Sequence, residues 1–193
     1  MAESVFYYDT NSPYAYLAAN RVDEVLPVRP EWRPISFGVI VRQTGKVPWS
    51  FVDREAGIAE IARRARERGL PEVRYPKEWP VEGYSLNPLR ALLLADGPEQ
   101  LRALTLELFR TMFVEGRTLS DLETLLDATA RVGMDRERVR DGIERPEIKE
   151  RLRMHTDGAL EAGVDGVPTV AVDGQLFWGD DRLEEAAAAL SPR

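Results

Sequence analysis

Three short motifs hold the residues whose types and spacing could do chemistry. Ser12 stands in Asn11-Ser12-Pro13 just after an aromatic run, Pro168 stands in Gly166-Val167-Pro168-Thr169, and Asp180 and Asp181 follow Phe177-Trp178-Gly179. What these residues can do is narrowed by what is missing. No cysteine occurs in the 193 residues, and the one histidine is His155. The chain forms no disulfide, offers no thiolate to a metal and has no thiol nucleophile, so any sulfur chemistry must come from a bound thiol. A histidine-rich metal centre is excluded, and a Ser/His/Asp triad would depend on His155, which lies in a charged helical stretch where a surface or interface role suffices. Serine hydrolysis is disfavoured further because no Gly-x-Ser-x-Gly elbow surrounds Ser12. Each motif also has a plain structural use. Serine capping a helix that opens on proline is ordinary helix chemistry, an X-Pro-Thr step before a strand is unremarkable alone, and either aspartate can serve as an N-cap.

The elements that must position these residues are readable at both ends of the chain. Residues 4–9 (SVFYYD) form a short aromatic and β-branched run that predicts a buried strand leading straight into a helix at Ser12-Pro13. Alanine and leucine carry that helix over 14–26 until Pro27 and Pro30 end it, and residues 32–37 (WRPISF) predict a second strand despite Pro34. After Pro48 helices dominate. Ile58, Ile61, Ala62 and Ala65 mark one face, closed by Gly69 and Pro71, and Pro98 opens another carrying Leu101, Leu104, Leu108, Met112 and Phe113. Ser120 and Glu123 form a capping-box pattern, and Pro146 starts a further helix. Strand character returns at Thr169–Asp173 (TVAVD), Asp173-Gly174 signals a tight hairpin, residues 175–178 (QLFW) return, and Asp180 or Asp181 begins a last helix. A β-α-β start, a helical block and a β-β-α finish compose a split α/β arrangement with one core built from the two chain ends.

Lys+Arg 26 against Asp+Glu 33 gives a net charge of −7, without a long basic run. Binding along nucleic acid therefore has little electrostatic support, and small molecules are the expected partners. No leader with a basic start and apolar stretch is readable at the beginning, nor a run of about 18 apolar residues, so the expectation is a cytoplasmic protein without membrane attachment.

Residues 8–18 (YDTNSPYAYLA), Gly166-Val167-Pro168-Thr169, Val172-Asp173-Gly174 and residues 177–183 (FWGDDRL) together resemble the 2-hydroxychromene-2-carboxylate isomerases and kappa-class glutathione transferases. Residues 44–48 (TGKVP) and the stretch from Trp79-Pro80 to Leu89-Arg90-Ala91 resemble the same family more loosely. The resemblance implies a thioredoxin-like α/β fold with an all-helical insertion domain: residues 1–49 and 158–193 form the split thioredoxin-like domain, and residues 50–157 the insertion. It also implies that Ser12-Pro13-Tyr14-Ala15 occupies the place of a Cys-x-x-Cys motif. There the helix N-terminus and the Ser12 hydroxyl would stabilise the thiolate of a bound thiol, glutathione or another small one, with Ser12 a donor and not a nucleophile. A cis peptide before Pro168 would let the Val167 backbone pair with the cysteinyl unit, and Asp180 and Asp181 would meet the α-amino group.

Two positions depart from the pattern. Asp180 stands where kappa-class relatives have a hydroxyl residue, and Lys46 replaces an asparagine, where it would attract a carboxylate of the thiol or substrate or else remain an exposed lysine. Tyr14, Trp49, Trp79, Tyr84, Asn87 and Trp178 are candidates to line an aromatic-substrate pocket, with core packing, and capping by Asn87, the alternative. The leading expectation is a glutathione-dependent isomerase of 2-hydroxychromene-2-carboxylate type, acting on an unsaturated aromatic 2-oxo acid from aromatic-compound degradation, metal-free and homodimeric. A kappa-like glutathione transferase and a non-catalytic thioredoxin-fold binding module are the alternatives.

Overall fold

The aromatic run after Glu3 forms one of the two inner strands of a four-stranded sheet in the computed structural model, which describes residues 3–77, 79–80 and 86–190. The order along the chain is β1 (Ser4–Tyr8), α1 (Pro13–Ala19), α2 (Val22–Val25), β2 (Glu31–Pro34), α3 (Phe37–Thr44), α4 (Trp49–Val52), α5 (Arg54–Glu67), α6 (Asn87–Leu92) and α7 (Pro98–Phe113). Then come α8 (Leu122–Arg131), α9 (Arg136–Gly142), α10 (Pro146–Glu161), β3 (Thr169–Val172), β4 (Gln175–Trp178) and α11 (Leu183–Leu190). The sheet order is β2-β1-β3-β4, with β1 parallel to β2 and antiparallel to β3, and β3 antiparallel to β4. Both ends of the chain thus build one sheet. No helix among the described residues is long and apolar enough to cross a membrane.

Side chains of a strand alternate between faces, and β1 uses both. Phe6 and Tyr8 are fully buried against the edge of Trp32, at 5.1 and 5.6 Å between ring centroids, and Tyr8 reaches Phe109 of α7. Tyr7 points the other way, into a smaller core with Ile35, Ile40, Ala159 and Val167. The Tyr8 hydroxyl, fully buried, shares a 2.8 Å hydrogen bond with Thr105, so the polar end of the ring is satisfied where sheet and helices meet. The larger core continues through α7 and α8 without interruption. Helix α10 runs unbroken across the boundary expected between residues 157 and 158.

Several local expectations are corrected. The helix expected over residues 14–26 is two, α1 and α2, because the chain turns at Asn20, whose side-chain amide bonds back to the Tyr16 carbonyl at 2.8 Å, and Arg21 pairs with Glu184. Strand β2 ends at Pro34, and Phe37 opens a helix that the sequence reading missed, capped by Ser36 and closed by Gly45 at φ +70°. The cap of α8 is Asp121, whose carboxylate accepts from the Thr124 amide at 3.0 Å, not Ser120. Helix α11 starts at Leu183, leaving Asp180 and Asp181 in the preceding turn. The hairpin turn carries Asp173 at φ +47° and Gly174 at +81°, the left-handed pair that an Asp-Gly turn requires.

Candidate functional site

Asp9, the residue just after β1, organises the first wall. Its carboxylate accepts from the Asn11 amide at 2.9 Å and the Phe37 amide at 2.8 Å, and its carbonyl accepts from the Ser12 amide at 3.0 Å. One buried group thereby ties the β1–α1 turn to the first residue of α3. Burial pushes its pKa up to about 6, although both amide bonds pull the other way. Ser12 follows in extended geometry, its Oγ accepting from the Ala15 amide at 3.2 Å, with Pro13 in the first turn. Pro13 has no N–H and the Ala15 amide is taken by Ser12, so this end presents the Tyr14 amide and the partial positive charge of the helix.

The second wall comes from the far end of the chain. The peptide between Val167 and Pro168 is cis, as is that between Trp79 and Pro80, which sequence did not suggest. The Ser12 hydroxyl points at the Val167 carbonyl at 3.5 Å, too long for a strong bond, so its proton remains available. No backbone hydrogen bond to Val167 occurs among the described residues, whereas Pro168 accepts from the Gly179 amide at 2.9 Å, fastening this loop to the turn after β4. Trp178 lies over Gly166, where a Cβ would come within 2.4 Å of the indole nitrogen.

The turn after β4 holds the largest departure from expectation. Asp180 is only 1% exposed, and its carboxylate sits between two arginines of the segment around α5: Arg64 at 2.7 Å, and Arg68. Asp181, next in the chain, has a side chain 57% exposed, and lies 3.5 Å from the same Arg64. The Arg64 guanidinium also stands over the Tyr14 ring at 5.6 Å. Lys46 pairs with Asp165 and stands 5.5 Å from the Trp178 ring, linking the loop after α3 to the loop before Pro168.

Between these walls lies a cavity of about 660 Å³. Ser12, Val167, Pro168, Lys46, Asp180 and Asp181 all line it, as do the expected substrate residues Tyr14, Trp49 and Trp178. Its aromatic side is continuous. Tyr14 meets Trp49 edge-on at 5.7 Å, Trp49 meets Trp79 at 5.7 Å, and the Trp79 indole donates to the Asn11 carbonyl at 3.2 Å. Trp49 rests on Gly57 of α5, where a Cβ would lie 2.0 Å from the ring. Asn87 is not among the lining residues: it is the first residue of α6, where its side-chain Oδ1 accepts from the Arg90 guanidinium at 3.2 Å. Tyr84 lies outside the described residues. His155 is not among the lining residues, and burial lowers its pKa.

Sequence reasoning missed Asp9 and Arg64. Asp9 was read as the end of a strand, although Asp two residues before an amide it can accept from is a known turn pattern. Arg64 and Arg68, spaced four apart, share a helix face, a weak signal without knowledge of what that face meets.

Residues 5–191 match the family model described as DSBA-like thioredoxin domain. The chain is 27% identical over 203 residues to glutathione S-transferase kappa 1 of Homo sapiens, covering 97% of this chain and 90% of that one. It is 28% identical over 196 residues to a 2-hydroxychromene-2-carboxylate isomerase of Pseudomonas putida, covering 96% and 92%. A solved structure of a 2-hydroxychromene-2-carboxylate isomerase is similar with a TM-score of 0.84 at 24% identity, over 97% of this chain and 93% of that one.

Proposed function

Because the chain belongs to the family of DSBA-like thioredoxin domains and has their α/β fold with helices inserted, we propose that it is a glutathione-dependent isomerase of 2-hydroxychromene-2-carboxylate type, acting on an unsaturated aromatic 2-oxo acid. The observation that carries this reading is the pairing of Ser12 with Val167 across the cavity in a chain without cysteine. A disulfide catalyst of this fold needs a sulfur at the α1 N-terminus, and this chain keeps the environment while offering a hydroxyl instead.

The residues present suit a thiol peptide. The Val167 backbone, without backbone partners among the described residues, faces the cavity as the edge of a sheet would, and an extended cysteinyl unit can pair with it. The Ser12 hydroxyl proton, engaged only at 3.5 Å, is free to turn toward a sulfur. When bound, the thiol supplies a thiolate for conjugate addition to the substrate double bond and later elimination, which permits rotation about that bond. Ser12 holds that negative charge by donating its hydroxyl hydrogen bond, and the Tyr14 amide and the positive end of α1 favour it further. Tyr14, Trp49 and Trp79 give the aromatic body of the substrate an apolar wall, and Trp178 forms the opposite side. Lys46, poised between Asp165 and Trp178, offers a cation to a carboxylate at the mouth.

The test is a spectroscopic assay of 2-hydroxychromene-2-carboxylate isomerisation, with and without glutathione, on the parent and on Ser12→Ala. Turnover that requires glutathione and drops in Ser12→Ala supports the reading. Turnover indifferent to both overturns the mechanism. Release of a stable conjugate in place of an isomer identifies the kappa-like transferase alternative, which the similarity to the human transferase favours.

A further inference from the structure

Asn11, the residue before Ser12, has no role in the reading given so far, and its side chain is underused. It is 9% exposed and lines the cavity, where it is the only carboxamide among the described residues. Its backbone is engaged: the amide donates to Asp9 at 2.9 Å and the carbonyl accepts from the Trp79 indole at 3.2 Å. The side chain is not. Its Nδ2 reaches the Pro80 carbonyl only at 3.5 Å, and its Oδ1, shut away from solvent, has no hydrogen-bond partner among the described residues. A buried acceptor without a donor is destabilising, and native interiors keep few of them. Helix capping does not explain the residue, because the cap of α1 is Ser12.

We infer that Asn11 determines substrate specificity: its carboxamide hydrogen-bonds a hydroxyl on the aromatic ring of the substrate, ortho to the unsaturated chain, and so selects ortho-phenolic 2-oxo acids over the same acids without that hydroxyl. This rests on the isomerase reading of the site. The wall beside Asn11 is aromatic and apolar, running from Pro80 and Trp79 to Trp49 and Tyr14. A ligand anion is poorly served here, since the buried Asp9 carboxylate is bonded to the Asn11 amide and repels it, whereas a neutral hydroxyl gives its proton to Oδ1 or accepts from Nδ2. Only the 3.5 Å contact restrains the carboxamide, and the Cβ–Cγ torsion of asparagine is broad, so the group turns its oxygen or nitrogen to the ligand at little cost. The placement also fits the chemistry at Ser12. Ser12 holds the sulfur that adds to the chain carbon attached to the ring, and the adjacent Cα of Asn11 is about 3.8 Å away. Opening a 2-hydroxychromene breaks the bond from C2 to the ring oxygen; the C2 hydroxyl becomes the ketone and its proton passes to the ring oxygen. That leaves a phenolic hydroxyl ortho to the attacked carbon, so neighbouring groups of the substrate meet neighbouring residues of the chain.

The experiment is isothermal calorimetry, without added thiol so that nothing turns over, with ortho-hydroxybenzylidenepyruvate and with benzylidenepyruvate, the same acid lacking the hydroxyl. The proteins are the parent, Asn11→Leu, which keeps the size and removes the hydrogen bond, and Asn11→Thr, which keeps a hydroxyl. The inference expects the parent to bind the hydroxy acid at least about tenfold more tightly than its analogue, the scale set by one buried hydrogen bond. Asn11→Leu should bind the two within about threefold of each other and the analogue no more weakly than the parent does, with Asn11→Thr between. A parent without the preference, or a folded Asn11→Leu that retains it, overturns the role of Asn11 and leaves the isomerase reading standing. If Asn11→Leu does not fold, Asn11→Thr decides in its place: a preference equal to that of the parent overturns the inference and a smaller one supports it. A parent that binds neither acid overturns the substrate class of the isomerase reading, and the inference with it.

Discussion

Replacing Ser12 by alanine removes two hydrogen bonds with separable consequences. The first is structural: the Oγ caps α1 by accepting from Ala15 at 3.2 Å, and α1 has only seven residues, so its first turn depends on that cap. Loss of a serine N-cap costs about 1 kcal/mol, or about 2 to 4 °C in Tm for a chain of this length. The second concerns the bound thiol. A hydrogen bond donated to a charged group contributes about 1.5 to 3 kcal/mol, and 1.36 kcal/mol corresponds to one pKa unit, so the thiol pKa should rise by about one to two. If the bound thiol of the parent titrates near pH 7, half of it is thiolate there; at a pKa of about 8.5 the fraction is about 3%, a loss of roughly fifteenfold. The assay is turnover against pH, alongside the thiolate absorbance of the bound glutathione. Ser12→Ala should fall roughly ten- to twentyfold below the parent at neutral pH and approach it above about pH 9.5, with Ser12→Thr between them. A deficit of the same size at every pH, with an unmoved absorbance titration, would refute a thiolate-holding role and leave Ser12 as a helix cap.

Other outcomes follow from neighbouring contacts. Gly57→Ala places a Cβ 2.0 Å from the Trp49 ring and must displace it; we expect a loss of about 1 to 3 kcal/mol in urea unfolding and a raised KM for the aromatic substrate, with calorimetric affinity for glutathione unchanged. Asp9, raised from 3.8 to about 6 by burial, holds its proton more tightly folded than unfolded, so its contribution to stability is greatest below about pH 4 and declines as pH rises through about 6. The difference between the two values corresponds to about 3 kcal/mol, and denaturant midpoints of the parent measured against Asp9→Asn should diverge with that sign across this window. Asp180→Ala strips the shared carboxylate from Arg64 and Arg68 and should cost about 2 to 4 kcal/mol by thermal or urea unfolding, less than for a dry ion pair because both guanidiniums keep some water.

Much of the fold was legible because its signals are local. Ser12-Pro13 marks a helix start through capping and a preset φ, Asp173-Gly174 a hairpin through left-handed geometry, and the leucines of α7 a buried face through their spacing. Helix α3 escaped notice because Trp32 to Phe37 reads as one strand-like run; the break at Ser36 is stabilised by the bond from its amide to Thr156, 120 residues away. The split of α1 from α2 lies at Asn20, whose side-chain amide returns to the Tyr16 carbonyl, a local bond within a run whose alanines and leucines read as one helix.

The sequence by itself determined that this chain carries no sulfur chemistry of its own, and that a serine opens the helix following its first strand. It also placed Val167-Pro168 and Asp180-Asp181 as the other parts of a site, through resemblance to a family. Only the tertiary structure decided what each part can do. Composition shows that Asp180 is acidic, but whether its charge serves a ligand or the interior depends on which face of α5 packs against the turn after β4. Arg64 and Arg68 meet Asp180 there across more than a hundred residues of chain, which buries one aspartate and leaves its neighbour open. Electrostatic roles are set by distance and solvent access, and neither is written in the order of residues.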